Sequence, residues 1–461
     1  MAKQPGVVVG IDIGTRFIKV AEVRSGRPPV LQNLGVAPTP EGAVDSAGII
    51  DKQAVSAVVK RLLAETGVGT KQAAFSLAGQ NAVVVRILEV LRMNAVELRQ
   101  HMDWEIQRNI PFADTRIQSA YEIIQRPGTS PTDPNMEVIL AVAQQDAVDG
   151  LVDIADKVGL EPYAIDVEPL ALARSLLLTQ PEHQNQAVAV VNLGASATSI
   201  DIFSGGILSF PRILPTGGDM LTRAVAERLM VSEAEAEQLK VQLAEVLMDQ
   251  IPQAGSSPFS TPGGPTGGFY TPGFSPAEPT QMPGTPYMPG TPSPFAVPGE
   301  EPTDYGTQSP FFTPSSEPTS YGAGEAEVPP APFAVPGEPE PPSAPEPAVP
   351  ATQPVGDPRK VEVFLAIYPV LEELVAEVRR SIEYFRSRNV DADVSLILLT
   401  GGAAIMPGLD QFMANSLGIP AMVANPLKGL QVSVKRHGPD WIASNAHLFS
   451  VAIGMGLHAS F

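Results

Sequence analysis

Two short segments of this chain, far apart in the sequence, share one strand–turn–strand pattern. Gly10–Thr15 reads GIDIGT and Val191–Ser196 reads VNLGAS. In each segment an apolar strand reaches an Asp or Asn, and a glycine then turns the chain into a second strand. Such a turn directs backbone N–H groups and a hydroxyl at one point, which suits a phosphate. One turn of this kind is common in ordinary hairpins, but its repetition favours a phosphate-binding role.

A third glycine turn lies in Leu399–Ala404, which reads LTGGAA. Here a buried strand ends at two glycines before a helix begins. Paired glycines let a flat ligand such as a purine approach the backbone closely, although an ordinary strand-to-helix turn has the same composition. Together, the three turns predict a site for one nucleotide.

The segment 252–358 differs from the rest of the chain in composition. Its 107 residues contain 29 of the 48 prolines, 11 acidic residues and no Lys or Arg. A segment of this kind cannot bury enough apolar surface to offset the entropy lost on ordering. The sequence therefore predicts a long disordered insertion with local polyproline II conformation, which is either an inert spacer or a binding segment.

Composition and charge exclude several functional classes. The chain has no cysteine, so it has no disulfide framework or cysteine nucleophile, and its five histidines lack zinc-ligand spacing. The net charge of −20 disfavours nucleic-acid binding. The first residues do not read as a signal peptide, and no apolar stretch approaches the ~18 residues of a membrane span. We therefore expect a soluble, cytoplasmic protein.

On both sides of the proline-rich segment, strands alternate with helices, which indicates an α/β fold. The predicted strands are 7–13, 17–23, 72–77, 83–90, 138–142, 163–167, 187–193, 199–203, 207–213 and 394–400. The predicted helices are 50–66, 94–108, 145–158, 169–179, 218–229, 232–248, 359–389, 408–417 and 444–458. Pro369 is expected to bend or interrupt the helix 359–389.

The order of the three turns resembles that of the actin/Hsp70/FtsA superfamily. This resemblance implies an actin-like ATPase fold, with a nucleotide in the cleft between two duplicated, RNase H-like halves. In this superfamily the helix that connects the halves often follows Glu-Pro, and here Val167–Pro169 reads VEP ahead of the second turn. By resemblance, Glu168 would be the catalytic residue that orients the attacking water. Without that context, Glu168 is a favourable charge in the first turn of a helix.

Two further segments resemble those of bacterial members of the superfamily. Gly217–Thr222 opens a predicted helix, and Glu237 and Lys240 lie three residues apart on the next one. By resemblance, this Glu and Lys approach the ribose and base of the nucleotide. A Glu and a Lys at this spacing also form an ordinary exposed helix pair.

The resemblance implies a set of contacts to ATP and Mg²⁺. The predicted ATP-binding residues are Asp12, Gly14, Thr15, Arg16, Lys19, Asn192, Gly194, Ala195, Ser196, Gly217, Gly218, Glu237, Lys240, Gly401, Gly402 and Ala403. Asp12 would hold Mg²⁺ through water, and Asn192 would do so weakly. The superfamily normally has Asp where this chain has Asn192, so one negative charge near the metal is lost. We expect ATP binding with slow or no hydrolysis.

Within the superfamily the chain is most similar to the PilM family, over essentially everything except 252–358. The segments that carry this similarity are Glu97–Phe112, Leu160–Leu172, Leu399–Leu417 and Ala424–Pro426. The first also reads as an amphipathic helix with a Trp anchor; by resemblance it belongs to an inserted subdomain, 1C, that FtsA shares and actin lacks. The implied subdomains are 1A (1–77 and 161–186), 1C (78–160), 2A (187–216 and 393–440), 2B (217–251 and 359–392, on either side of the insertion) and a C-terminal helix returning to 1A (441–461).

The PilM resemblance also carries expectations about partners. The chain would be a cytoplasmic scaffold of the type IV pilus, or of a related type II secretion-like system, at the inner membrane. It would bind the N-terminal cytoplasmic tail of a PilN-like bitopic protein in a groove between 1A and 1C, with contributions from residues 78–125. A short tail requires an apolar groove. Other platform and motor proteins would be further partners, and the membrane would be reached only through partners.

Three alternatives share parts of this pattern. An FtsA-like division protein would have the same fold, but it normally ends in a linker and an amphipathic membrane helix, whereas here Phe461 directly follows the last predicted helix. An Hsp70-like chaperone would need a further domain. A small-molecule kinase of the same superfamily would need a catalytic base in a substrate cleft, and the sequence offers no convincing candidate.

Overall fold

Each of the two glycine-turn hairpins lies at the centre of its own β-sheet. The computed structural model describes residues 4–130, 132–251, 357–389 and 392–461, so the predicted disordered segment lies outside the described residues except for its last two positions. The strands are β1 Val7–Ile13, β2 Phe17–Arg24, β3 Val30–Pro38, β4 Val44–Asp45, β5 Gly48–Ile49, β6 Gln72–Leu77, β7 Val83–Leu91, β8 Ile117–Ile124, β9 Asn135–Gln144, β10 Glu161–Val167, β11 Ala187–Leu193, β12 Thr198–Ser204, β13 Ile207–Leu214, β14 Val394–Thr400, β15 Ala421–Val423 and β16 Gln431–Val432. The helices are α1 Lys52–Thr66, α2 Ala95–Asn109, α3 Gln145–Val158, α4 Glu168–Ala173, α5 Gly218–Leu229, α6 Glu233–Leu243, α7 Pro358–Arg388, α8 Leu409–Leu417, α9 Pro439–Asn445 and α10 Ser450–Gly456.

The two large sheets share one order of five strands when the second is read in reverse, and the first has β16 as a sixth strand at its edge. The first is β10-β6-β1-β2-β3-β16 and the second is β13-β12-β11-β14-β15. In each, three antiparallel strands are joined to two strands that run parallel to the first of them: β6 and β10 in one sheet, β14 and β15 in the other. The described part of the chain is therefore built from two halves of one topology.

Helices cover both faces of the central strands, which explains why β1 and β11 are almost continuously apolar. Helices α1 and α3 pack on one face of the first sheet, and α5, α7 and α8 pack on one face of the second. Helices α4 and α10 share a core with Val8 of the first sheet and Val190 of the second. These two helices therefore lie between the halves.

A small three-stranded sheet, β7-β9-β8, is inserted between β6 and α3. Helix α2 covers one of its faces through Leu98, Met102 and Ile106. Helix α2 begins with a capping box, because the Asn94 side chain accepts from the Glu97 N–H and Glu97 accepts from the Asn94 N–H. Helix α3, which lies in the range predicted for subdomain 1C, packs instead on α1 and the first sheet. Judged by which elements pack together, the inserted unit formed by this sheet and α2 ends with β9.

Several elements differ from the sequence-based predictions. Strands β3 and β8 were not predicted, because β3 follows two prolines and contains Asn33 and Gly35, and because β8 has exposed residues on both faces. The predicted helix 444–458 is divided into α9, a short 3₁₀ turn and α10. Helix α6 ends at Leu243, five residues before the predicted end.

The longest helix, α7, continues through Pro369 for 31 residues, so Pro369 does not interrupt it, while the alternative of a bend there stays a prediction. Its buried side chains, which include Phe364, Leu371, Val378 and Phe385, recur along one face and anchor the helix on the second sheet. Packing of this face offsets the one backbone hydrogen bond that a proline removes. Among the described residues, no helix combines the length and apolar character needed to cross a membrane.

Glycines allow α10 to lie directly against β1 and α4. A Cβ placed at Gly10 of β1 would lie 2.0 Å from the carbonyl oxygen of Ala452. A Cβ at Gly454 would lie 1.9 Å from the carbonyl oxygen of Ala171 in α4. Neither distance is compatible with a side chain, so backbone packs on backbone at both contacts.

We predict that Gly454→Ala destabilises the protein, because the new methyl group forces α10 away from α4. The expected loss is about 1–3 kcal/mol in the free energy of unfolding, the usual cost of overpacking. Gly6→Ala is the matched control, because a Cβ there meets nothing within 4 Å, and it should change stability by no more than about 0.5 kcal/mol. Urea unfolding of both variants measures the difference, and equal stabilities would contradict the packing argument.

Candidate functional site

The first glycine turn connects β1 to β2 and is held from both sides. The Gly14 N–H donates to the Phe17 carbonyl at 3.1 Å, and the Thr39 hydroxyl donates to the Gly14 carbonyl at 2.7 Å. Asp12, at the end of β1, is buried and lies opposite Lys19 of β2. The Lys19 Nζ contacts Asp12 Oδ2 at 2.6 Å. The turn therefore presents a fixed carboxylate–ammonium pair beside its backbone.

The second turn connects β11 to β12 and closes in the same way. The Gly194 N–H donates to the Ala197 carbonyl at 3.0 Å. The Gly218 N–H donates to the Gly194 carbonyl and the Asp219 N–H donates to the Ala195 carbonyl, both at 2.9 Å. Hence the first residues of α5 bind the turn itself, and the Gly218 N–H is already used. Gly217 also belongs to this contact, since a Cβ there would lie 2.4 Å from the Ala195 carbonyl oxygen.

The third turn follows β14 and packs on the second. Gly401 has a φ of +89°, a left-handed conformation that favours glycine. A Cβ there would lie 2.5 Å from the Leu193 carbonyl oxygen and 2.6 Å from Asn192 Oδ1. The Ala403 N–H also points at the Leu193 carbonyl, at 3.4 Å, whereas Gly402 is exposed. The structure thus brings the second and third predicted turns into direct contact.

Both hairpin turns keep free donors. Within the described residues, the N–H groups of Thr15, Arg16, Ala195 and Ser196 make no backbone hydrogen bond. The hydroxyls of Thr15 and Ser196 likewise have no hydrogen-bond partner among the described side chains and backbone. Clustered, unpaired N–H groups are the usual donors to a bound phosphate. The residues present therefore fit a phosphate-bearing ligand.

Glu168 lies at the start of α4, between the two turns. Its Oε1 accepts from the Asn192 Nδ2 at 2.7 Å and from the Ser199 hydroxyl at 2.8 Å. Burial raises the pKa of Glu168, the two hydrogen bonds oppose that rise, and the charges of Asp12 and Lys19 act in opposite directions on it. Asp12, Lys19, Asn192 and Glu168 are thus close enough to interact.

Arg16 connects the first turn to the second half. Its Nε and Nη2 both donate to Asp219 Oδ1, at 2.9 and 2.7 Å, and Nη2 lies 4.0 Å from Glu237 Oε2. Since the Asp219 backbone holds the second turn, the ion pair joins the two hairpin turns through one residue. Burial of the guanidinium lowers the pKa of Arg16, but the hydrogen bond and charge of Asp219 outweigh that effect and raise the pKa overall.

Glu237 and Lys240 connect α6 to the first turn of α5. The Lys240 Nζ donates to Glu237 Oε2 at 2.7 Å, to the Thr222 hydroxyl oxygen at 3.0 Å and to the Gly218 carbonyl at 3.1 Å. Burial would raise the pKa of Glu237, but hydrogen bonds from Lys240 and Thr222 and the charges of Lys240 and Arg16 lower it. Both side chains are therefore charged, partly buried and adjacent to the second turn.

Five residues of this site were not predicted, namely Thr39, Ser199, Asp201, Asp219 and Thr222. Asp219 follows the two glycines that open α5, and its position at a helix start was the available signal. Asp201 lies between Ile200 and Ile202 in the strand TSIDIFS, which marks it as unusual. Ser199 and Thr39 carried no such signal, because the groups they contact in the site, Glu168 and Gly14, are distant in the sequence. Within the described residues, no group of three or more His, Asp and Glu side chains is arranged to hold a metal ion directly.

Comparisons with known proteins agree with this geometry. Residues 10–251 and 358–460 match the model of a family described as type IV pilus assembly protein PilM. Similar curated proteins include cell division protein FtsA of Bacillus subtilis (strain 168), 25% identical over 262 residues, and FtsA of Streptococcus pneumoniae serotype 2 (strain D39), 24% identical over 282 residues. These matches cover 52% and 53% of this chain, but only 59% and 57% of the length of those relatives.

A solved structure of a PilM–PilN type IV pilus biogenesis complex has the same fold as this chain. The TM-score is 0.67 and the sequence identity is 21%, with 100% of both chains covered. At this identity the likeness shows the fold and no more. Together with the repeated strand order of the two sheets, it confirms the predicted actin-like fold of two duplicated halves.

We predict that Gly401→Ala destabilises the junction of the second and third turns. The substitution combines an unfavourable left-handed φ with a Cβ that clashes with the Leu193 carbonyl, and such strain costs about 1–3 kcal/mol. Gly402→Ala is the matched control, because a Cβ there meets only the end of the Leu448 side chain at 4.0 Å. Thermal unfolding should show a lowered midpoint for Gly401→Ala and an unchanged one for Gly402→Ala. An unchanged midpoint for Gly401→Ala would contradict the close packing of the third turn on the second.

Proposed function

Because the chain belongs to the PilM family of type IV pilus assembly proteins, we propose that it is a cytoplasmic ATP-binding scaffold of a pilus assembly platform, or of a related type II secretion-like platform. It binds the N-terminal tail of a PilN-like bitopic membrane protein. Other platform and motor proteins are further partners, and the membrane is reached through them. The predicted subdomains 1A, 1C, 2A and 2B are part of this proposal, with 1C ending at β9.

The convergence of the two hairpin turns is the observation that carries the nucleotide part of this proposal. The two turns, which the Arg16–Asp219 ion pair joins, carry four N–H groups and two hydroxyls without a hydrogen-bond partner among the described residues, and the Lys19 ammonium lies beside the first turn. These groups would hold the phosphates of ATP. The third turn and the Glu237–Lys240 pair adjoin the second turn, where they would contact the purine and ribose.

The carboxylate of Asp12 is the group that fits Mg²⁺. It lies beside the free N–H groups of the first turn, and hydrated Mg²⁺ is commonly held by a single carboxylate together with phosphate oxygens. When bound, the ion would neutralise phosphate charge. Asn192 contributes an amide rather than a second carboxylate, and that amide already donates to Glu168. The second half therefore supplies little negative charge to the metal, which supports ATP binding with slow or no hydrolysis.

Glu168 is the residue suited to orient a water molecule. Both of its hydrogen bonds from described residues go to Oε1, so Oε2 is available to a water in the cleft. The role of Glu168 would be to orient the attacking water during whatever hydrolysis occurs.

We predict that Lys19→Ala weakens binding of Mg-ATP by about 10- to 100-fold, because a charge-assisted hydrogen bond contributes about 1.5–3 kcal/mol. Isothermal titration of the purified full chain measures the affinity. Lys52→Ala is the matched control, since Lys52 pairs with Asp153 on an outer surface at 2.7 Å. Equal affinities of the two variants, or no ATP binding by the unaltered protein, would overturn the nucleotide proposal. Rapid steady-state turnover that Glu168→Ala abolishes would overturn slow hydrolysis alone.

The proposed tail groove lies between the inserted sheet and the first sheet. On the face that α2 leaves uncovered, Val85 and Ile87 of β7 and Ile139 of β9 are only partly buried, and with Tyr163 of β10 they border one apolar core. Glu89 follows on the same face of β7 and is exposed. An apolar strip with an acidic edge suits a short tail that carries apolar side chains and a positive charge.

We predict that Ile87→Glu abolishes capture of a synthetic peptide with the sequence of the cytoplasmic tail of the organism's own pilus bitopic protein. The buried charge would oppose an apolar tail. Ile123→Glu is the matched control, because Ile123 of β8 is 41% exposed and lies opposite Val138, on the other face of the sheet. Peptide binding by fluorescence anisotropy, with the melting midpoint and ATP affinity of each variant as checks on folding, gives the answer. Loss of binding in both variants, or in neither, would contradict this groove.

A further inference from the structure

Asp201 is a buried carboxyl group at the middle of the second sheet. It lies on β12, opposite Val190 of β11 and Pro211 of β13, and is 1% exposed. No ion pair to a described residue involves it, its Oδ1 is buried without a hydrogen-bond partner, and its Oδ2 lies 2.9 Å from the Ser199 hydroxyl. An ionised carboxylate in such surroundings is very unfavourable.

Counting protons shows that one carboxyl group here must be protonated. The Ser199 Oγ lies 2.9 Å from Asp201 Oδ2 and 2.8 Å from Glu168 Oε1. A hydroxyl has a single proton and can donate to only one of these oxygens. The other oxygen must bring its own proton to form its hydrogen bond. With both carboxyl groups ionised, the Ser199 oxygen would face one of the two carboxylate oxygens with no hydrogen between them.

The surroundings decide which group keeps the proton. Glu168 also accepts from Asn192 and has the positive charge of Lys19 nearby, opposed by Asp12. Asp201 has only Ser199, and the charged group that faces it is Glu168. Burial raises the pKa of Asp201 well above its ordinary value, and the charge of Glu168 raises it further. Glu168 is therefore the better place for the negative charge.

We propose that Asp201 remains protonated at neutral pH and, through Ser199, fixes the carboxylate of Glu168. The Asp201 hydroxyl donates to Ser199 Oγ, the Ser199 hydroxyl donates to Glu168 Oε1, and the Asn192 amide donates to the same oxygen. Asp201 is a positioning residue, since it acts on Glu168 only through Ser199. The assignment of the proton stands on the structure; its value for ATP hydrolysis rests on the proposed function.

This arrangement makes the orientation of Glu168 dependent on the Asp201 proton. When Asp201 ionises at high pH, it becomes an acceptor and competes with Glu168 for the single Ser199 proton. Glu168 then loses one of its two donors. Asp201→Asn retains a donor to Ser199 at every pH, because the amide N–H replaces the acid O–H. Ser199→Ala removes the connection and leaves the Asp201 carboxyl without a partner.

The first test compares the pH dependence of unfolding in the unaltered protein and in Asp201→Asn. A group with a raised pKa in the folded state contributes stability that is complete below its unfolded pKa of about 3.9 and is lost as the pH rises through the folded value. Above about pH 4, the ratio of folded to unfolded molecules of the unaltered protein should therefore fall, relative to that of Asp201→Asn, by up to about tenfold per pH unit. Parallel curves would overturn the proposal.

A matched control has the opposite sign. The hydrogen bond and charge of Lys52 lower the pKa of the exposed Asp153. The stability of the unaltered protein should therefore increase slightly, relative to that of Asp153→Asn, as the pH rises. Difference infrared spectroscopy at pH 7 gives a direct check. The carbonyl band of a protonated carboxyl should be present in the unaltered protein and absent in Asp201→Asn, and its presence in both or in neither would overturn the assignment.

The second test concerns positioning. At saturating ATP, the single-turnover rate of hydrolysis in Asp201→Asn should equal that of the unaltered protein, but it should not decline at high pH. In Ser199→Ala the rate should be about tenfold lower, with unchanged ATP affinity. A fall in affinity equal to the fall in rate would mean a merely structural role. If the unaltered protein binds no ATP, the proposed function fails, while unfolding and infrared spectra still decide where the proton lies.

Discussion

The site depends on direct contact between the backbones of its turns. The start of α5 donates two N–H groups to the carbonyls of the second turn, and Gly401 packs on Leu193 with no space for a side chain. Because main-chain groups hold the turns, few side chains are needed to shape them. Side chains are thereby left to serve a ligand, as proposed for Lys19, or to connect the halves, as Arg16 does through Asp219.

The two halves share a topology, but their chemistry at equivalent positions differs. At the end of the first strand, Asp12 faces Lys19 across the hairpin; in the second half, Asn192 faces Ser199. The first is an ion pair, whereas the second is neutral and directed at Glu168. One half thus supplies the charges near the proposed metal, and the other holds the carboxylate that lies between them. Duplication of the fold has been followed by division of the roles.

Much of the fold could be predicted from the sequence because its central strands are buried on both faces and therefore continuously apolar. β1 and β11 were predicted with their observed bounds for this reason. Strand β8 escaped prediction because six of its eight residues are exposed, so neither alternation nor an apolar run marks it. In the site, glycines and the Glu-Pro pair were visible as local patterns. The Asp201–Ser199–Glu168 chain was not, since it is assembled from one strand and a helix that meet only in the folded protein.

The contact between α10 and β1 also has a consequence for how the protein forms during synthesis. Gly10 and Ala452 touch through their backbones, yet almost the whole described chain lies between them. The first sheet cannot complete its core until residues near 450 have left the ribosome, and contacts of such long sequence separation slow folding. The half that is made first is therefore finished last, and its assembly is coupled in time to that of the second half.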